Sequence, residues 1–311
     1  MKHDRELVGA GTALVTPFRV DGSVDLEVFR VLVRRQVEAG VRLLVPCGTT
    51  GESATLSPEE RELLVRATVE EAAGRALVVA GTGSNDTRLA AAMARAAAGW
   101  GADAVLSLAP PYVKPPQDAL IDHFRAVAEA ARVPVVVYNV PSRVGCNLRA
   151  ETTLALAEVP GIAGVKEAAG DMDQAMEILR SKPRGFAFLS GEDALALPLL
   201  ALGAEGVISV VGNEAPRDLV ELVTLARAGR IAQARAVHER LLPLMRANFC
   251  ESNPIPVKAA MARMGLLDER LRRPLRPLAA SRVAELEAAC VAAGLTCHAA
   301  SSAAPHPALV R

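Results

Sequence analysis

Lysine is scarce in this chain. Of the 35 basic residues, only Lys2, Lys114, Lys166, Lys182 and Lys258 are lysines; the rest are arginines. Aromatics amount to 3%, so a chain that is 51% hydrophobic must pack its core with Ala, Val, Leu and Ile. The formal charge is zero and no basic run or stripe is present, which argues against nucleic acid as a partner and favours a small neutral or anionic metabolite. Five scattered cysteines (Cys47, Cys146, Cys250, Cys290, Cys297) form no C-x-x-C pair and read as reduced thiols of a cytoplasmic protein. No two histidines fall at metal-ligand spacing, so no metal is expected. No uncharged apolar run approaches the roughly 18 residues of a membrane span. The segment from Leu7 to Phe18 follows Asp4 and Glu6 and closes on Thr16-Pro17, which suits a first core strand rather than a signal peptide.

What is present is a repeating cycle of apolar run, glycine-rich loop and amphipathic stretch. After the first strand, Asp25 is placed to cap a helix from Leu26 to about Ala39, ended by Gly40. Leu43–Pro46 leads into Gly48-Thr49-Thr50-Gly51-Glu52-Ser53. Ser57-Pro58-Glu59-Glu60 then reads as a capping box with proline at the first helical position. Further strands are expected at Leu77–Ala80, Ala104–Leu108, Val135–Tyr138, Ile162–Glu167, Phe186–Ser190 and Gly206–Val210, each with a helix behind it. Eight such units before residue 229 close most simply as an α/β (β/α)8 TIM barrel. An open doubly wound sheet is the alternative, but no G-x-G-x-x-G opens a helix after the first strand. Residues 230–295 read as an appended C-terminal helical region, broken at Asn253-Pro254-Ile255-Pro256. The aperiodic residues 296–311 read as a disordered tail.

In a chain that uses arginine as its default cation, a lysine within an apolar strand invites a chemical role. A period of two places Ile162, Gly164 and Lys166 on one face of their strand. A desolvated ammonium can lose its proton near neutrality and attack a carbonyl carbon, which guanidinium cannot do. Lys166 is therefore the candidate Schiff-base lysine; the plain alternative is a strand-end lysine in solvent. Both tyrosines, Tyr112 and Tyr138, fall in loops after strands, at the mouth where a barrel gathers its strand C-termini. With the Thr49 hydroxyl between them they could relay a proton beside an imine, or simply occupy loop edges. Gly48, Gly51 and the two threonines offer donors to a carboxylate or phosphate.

Six segments in this order resemble the dihydrodipicolinate synthase family of class I pyruvate aldolases, which includes N-acetylneuraminate lyase. They are Gly48–Leu56, Tyr138-Asn139-Val140-Pro141 with Arg143, Gly164–Ala168, Ser190–Asp193, Gly206–Ser209 and Asn253–Lys258. The resemblance spans about Leu7 to about Leu278. It implies that Lys166 forms an imine with pyruvate and that the pyruvate carboxylate sits on the Thr49-Thr50 loop beside Gly48. Tyr138 would accept and return protons through Thr49 to Tyr112, lent by the neighbouring subunit of a tight homodimer, itself half of a tetramer. Arg143 would hold the carboxylate of the second substrate, and Gly191 and Ile208 would shape the pocket with their carbonyls. No cofactor is implied beyond the covalent Schiff base. The Thr49-Thr50 pair and Arg143 resemble the synthase branch, which condenses pyruvate with aspartate 4-semialdehyde on the route to diaminopimelate and lysine. The alternative is a related pyruvate-forming aldolase or lyase acting on a sugar acid. Pro58, Arg61, Leu89 and Pro111 replace residues with which lysine-inhibited members bind lysine, so the resemblance implies an enzyme insensitive to lysine.

Overall fold

The structure, a computed structural model, describes residues 6–297. Eight strands, β1 (Gly9–Ala13), β2 (Leu43–Val45), β3 (Leu77–Gly81), β4 (Ala104–Leu108), β5 (Val135–Asn139), β6 (Ile162–Glu167), β7 (Ala187–Ser190) and β8 (Gly206–Ser209), pair in parallel and in sequence order. β8 returns to pair with β1, Ile208 opposite Gly11, and the sheet closes as a barrel. Helices α1 (Leu26–Glu38), α2 (Pro58–Ala72), α3 (Thr87–Gly99) and α4 (Gln117–Ala131) follow the first four strands. A one-turn helix α5 (Pro141–Val144) and α6 (Ala150–Ala157) follow β5; α7 (Met172–Ser181), α8 (Ala196–Ala201) and α9 (Pro216–Arg227) follow the last three. The expected TIM barrel is therefore the fold.

Local chemistry sets the helix starts. Asp25 accepts from the Val28 N–H, and Asp171 accepts from that of Gln174. Ser57 and Glu60 complete the capping box in both directions, with Pro58 at the first helical position. The helix expected from Asp193 begins instead as a 3-10 turn, Asp193–Leu195, because the Asp193 carboxylate is taken up by the Val210 and Val211 N–H groups rather than by its own helix. The period-two reading of β6 also needs correction at its start. Val135 pairs with Ile162 and Val136 with Gly164, so an extra residue bulges at Ala163, and regular alternation begins only at Gly164.

Beyond the barrel lie α10 (Ile231–Ala247), α11 (Ile255–Arg263) and α12 (Ala280–Ala292). α10 packs on α9 and α12, while Val257 and Met261 of α11 meet Val15, Leu32 and Val210 in a small apolar cluster separate from the main core. That cluster seats α11 against the β1 and β8 ends, at the rim where the loops converge. Thr296 and Cys297 have no regular structure, and the rest of the expected tail lies outside the described residues.

Candidate active site

Lys166 ends up in the barrel wall with 5% of its surface exposed. Its ladder partner on β5 is Tyr138, and its Nζ lies 4.3 Å from the centroid of that ring. Among the described residues, Nζ has no hydrogen bond or ion pair. Lys258 is the contrasting case: fully buried, with Nζ 2.8 Å from Glu52 Oε1 and donating to the Thr16 carbonyl at 2.9 Å. Burial pushes the Lys258 ammonium below its ordinary value, against the opposing pull of Glu52. One buried lysine is thus committed to structure and the other faces open space.

That space is a cavity of about 290 Å³ at the C-terminal mouth, and Gly48, Thr49, Thr50, Tyr138, Arg143, Lys166 and Gly191 all line it. Gly191 leaves room beside the amine; a Cβ there would sit 3.1 Å from Lys166 Cε and 2.7 Å from the Ala168 methyl. The Thr49-Thr50 loop is fixed from behind. Glu52, on left-handed backbone at φ 55°, is held by Lys258 and by the Arg272 N–H at 3.0 Å, while Asn253 Nδ2 donates to Thr50 Oγ1 at 2.9 Å. Arg143 sits exposed on the one-turn helix, its Nη2 3.4 Å from the Asn253 carbonyl. The loop carrying it is tied down by Asn139, whose Oδ1 accepts from Leu148 N at 2.9 Å and whose Nδ2 donates to both oxygens of Glu167 at 3.0 Å. Burial raises the Glu167 carboxyl, and the Asn139, Ala169 and Gln174 donors pull it back.

Two expected residues lie elsewhere. Ile208 is wholly buried and does not line the cavity; its ladder partner Gly11 stands two residues below Ala13, a lining residue, so Ile208 occupies the layer beneath and Val210 takes its place at the wall. Tyr112 is 87% exposed, outside its own cavity, on left-handed backbone at φ 74° pinned by its N–H to the Val144 carbonyl at 3.1 Å. Left-handed backbone is costly for a tyrosine, and it persists here with the ring exposed. The wall also contains residues to which the sequence pattern assigned no role: Glu192, Ser142, Ser252, Asn253 and Phe249. Glu192 and Asn253 stood within segments already singled out, whereas Phe249, 42% exposed at the end of α10, carried no signal. The described residues hold no cluster suited to a metal ion, and no helix among them is long and apolar enough to cross a membrane.

The dihydrodipicolinate synthetase family model matches residues 6–293. The chain belongs to this family. The 4-hydroxy-tetrahydrodipicolinate synthase of Pelodictyon phaeoclathratiforme is 48% identical over 277 residues, covering 89% of this chain and 94% of the relative. The crystal structure of dihydrodipicolinate synthase from Aquifex aeolicus superposes with a TM-score of 0.90 at 39% identity, covering 94% of this chain and 99% of that one. The chloride-inhibited Acinetobacter baumannii dihydrodipicolinate synthase, solved as a pyruvate complex, gives 0.91 at 41% identity over 93% and 99%. Dihydrodipicolinate synthases are aldolase-type lyases that work through a covalent lysine–pyruvate Schiff base, without metal or organic cofactor.

Proposed function

We propose that this family member is a cytoplasmic 4-hydroxy-tetrahydrodipicolinate synthase that condenses pyruvate with aspartate 4-semialdehyde through an imine on Lys166. The observation that carries the reading is the contrast between the two buried lysines. Lys166 Nζ opens on the cavity with no ionic partner, while Lys258 is consumed by Glu52. The Lys166 amine attacks the keto carbon of pyruvate and water leaves. The resulting iminium draws a proton off the pyruvate methyl, and Tyr138, whose ring lies beside the amine, takes it. The enamine carbon then attacks the aldehyde, whose oxygen takes a proton from Tyr138. The acceptor's own amine displaces Lys166 and closes the ring. Thr49 and Thr50 donate to the pyruvate carboxylate, and Arg143 at the mouth holds that of the acceptor. The synthase relatives, together with Arg143 in the wall as a partner for an acceptor carboxylate, favour the synthase over a sugar-acid lyase.

The exposed Tyr112 supports a homodimer, at least, in which each subunit completes its neighbour's proton relay; the tetramer follows the family pattern. Lysine insensitivity belongs to the same proposal. Leu89, where lysine-inhibited members carry a glutamate, is 52% exposed and apolar, and the Arg61 guanidinium is engaged with the Ser53 carbonyl.

Borohydride reduction in the presence of pyruvate tests the chemistry. A stable adduct on Lys166, absent from Lys166→Ala, is the expected result. An unlabelled protein, or label at Lys258, would overturn it.

A further inference from the structure

Glu192 is the single acid of the cavity wall among the described residues. Its neighbours are chosen for anions: the threonine loop, Arg143 and Lys166. Pyruvate has no cationic group, so a carboxylate here can only repel it. Yet the fold fixes this residue with care. Its N–H donates to Ser190 Oγ at 3.3 Å, and Ser190 Oγ donates back to its carbonyl at 2.9 Å. The next residue, Asp193, is locked by the Val210 and Val211 N–H groups at 3.0 and 2.8 Å. The Glu192 backbone is therefore held from both sides while its carboxylate has no hydrogen bond or ion pair among the described residues. Burial, then the neighbouring Asp193, raises that carboxyl, and Lys166 and Arg143 oppose the rise from across the cavity without pairing with it. A half-buried acid in the cavity wall with no hydrogen-bond or ionic partner of its own is free to accept from a bound ligand.

We infer that Glu192 is a specificity-determining residue that receives the α-ammonium of the acceptor while Arg143 receives its carboxylate, so that the cavity selects a zwitterionic amino-aldehyde. The inference rests on the proposed reaction and names what that site reads in its second substrate. The competing role for Glu192 is a counter-charge to the Lys166 iminium.

The test compares wild type, Glu192→Gln and Glu192→Asp on aspartate 4-semialdehyde and on succinic semialdehyde, which lacks the amine. Pyruvate–borohydride trapping is measured alongside. Exchanging the carboxylate for its isosteric amide removes a charge-assisted hydrogen bond and should lower kcat/KM for aspartate semialdehyde about 10- to 100-fold. Glu192→Asp should recover part of it. Succinic semialdehyde, followed by inhibition constant or pyruvate consumption, should shift less than about threefold, and the loss on aspartate semialdehyde should exceed any change in the trapping rate about tenfold or more. Equal losses on both semialdehydes, or trapping slowed as much as turnover of aspartate semialdehyde, would overturn the inference in favour of the counter-charge. A wild-type protein that traps pyruvate but does not turn over aspartate semialdehyde would sink the acceptor assignment, and this inference with it.

Discussion

Replacing Lys258 with methionine should show how the carboxylate loop is held. The side chains of Lys258 and Glu52 are 0% and 1% exposed and 2.8 Å apart. Methionine fills much of the lysine stem's volume but leaves Glu52 with only the Arg272 N–H, and the Thr16 carbonyl without the ammonium that it accepts from. Removing one partner of a buried pair costs about 3–5 kcal/mol, mostly as the penalty of an uncompensated charge. For a chain of this size that corresponds to a drop in melting temperature on the order of 5–15 °C. Thr49 and Thr50 stand just before Glu52, so the Michaelis constant for pyruvate should rise as stability falls. Urea unfolding of Lys258→Met, Glu52→Gln and the double variant separates charge from packing. With the stranded carboxylate neutralised, the double variant should be destabilised by clearly less than the sum of the two single losses. A loss below about 1 kcal/mol in Lys258→Met, or additive losses in the double variant, would refute the reasoning.

Gly191→Ala places a methyl against Lys166 Cε and should slow pyruvate–borohydride trapping about tenfold or more; unchanged trapping would show that the amine needs no such clearance. Tyr112→Phe should lower kcat about 10- to 100-fold, and mixing it with Lys166→Ala should restore activity if each subunit lends its tyrosine; no recovery on mixing would place the relay within one chain. Burial raises the Glu214 carboxyl well above its ordinary value, with Asn248 Nδ2 2.6 Å from Oε2 opposing the rise. A carboxyl raised on folding supports stability below its unfolded pKa and loses that contribution as pH climbs through the folded value. Glu214→Gln should therefore match wild type in acid and outlast it increasingly toward alkaline pH, and a melting-temperature difference independent of pH would contradict this. Lysine at millimolar concentration should leave the coupled reaction rate unchanged, and half-inhibition below about 1 mM would refute the insensitivity, since a charge-assisted ammonium interaction of roughly 1.5–3 kcal/mol would then have to come from another residue.

The barrel was legible because its punctuation is local. Asp25, Ser57 and Asp171 announce helix starts through their own side chains, and apolar runs followed by glycine mark strand ends. Register was not legible, because strands such as β1 and β5 are buried on both faces and show no alternation to read, and the bulge at Ala163 has no sequence mark. Lys166 was found through its rarity and its strand. That argument was silent on Lys258, whose deeper burial depends on α11 docking across the barrel rim. Ile208 was displaced by a single layer, a depth that only the closed ladder defines. Glu192 and Phe249 became wall residues once β7 and the end of α10 were brought to one mouth, a meeting that no local pattern encodes.

The threonine loop near the start of the chain is fastened by Asn253, Lys258 and Arg272, across separations of 203, 206 and 220 residues. During synthesis, a nascent chain that has emerged only through β8 already contains Lys166 and both tyrosines but lacks every one of these fasteners. Catalytic competence should therefore arrive late, with the final sixty or so residues, rather than grow strand by strand. Stalled chains whose emerged part ends just before Asn253 or beyond Arg272 should differ sharply in whether they capture pyruvate.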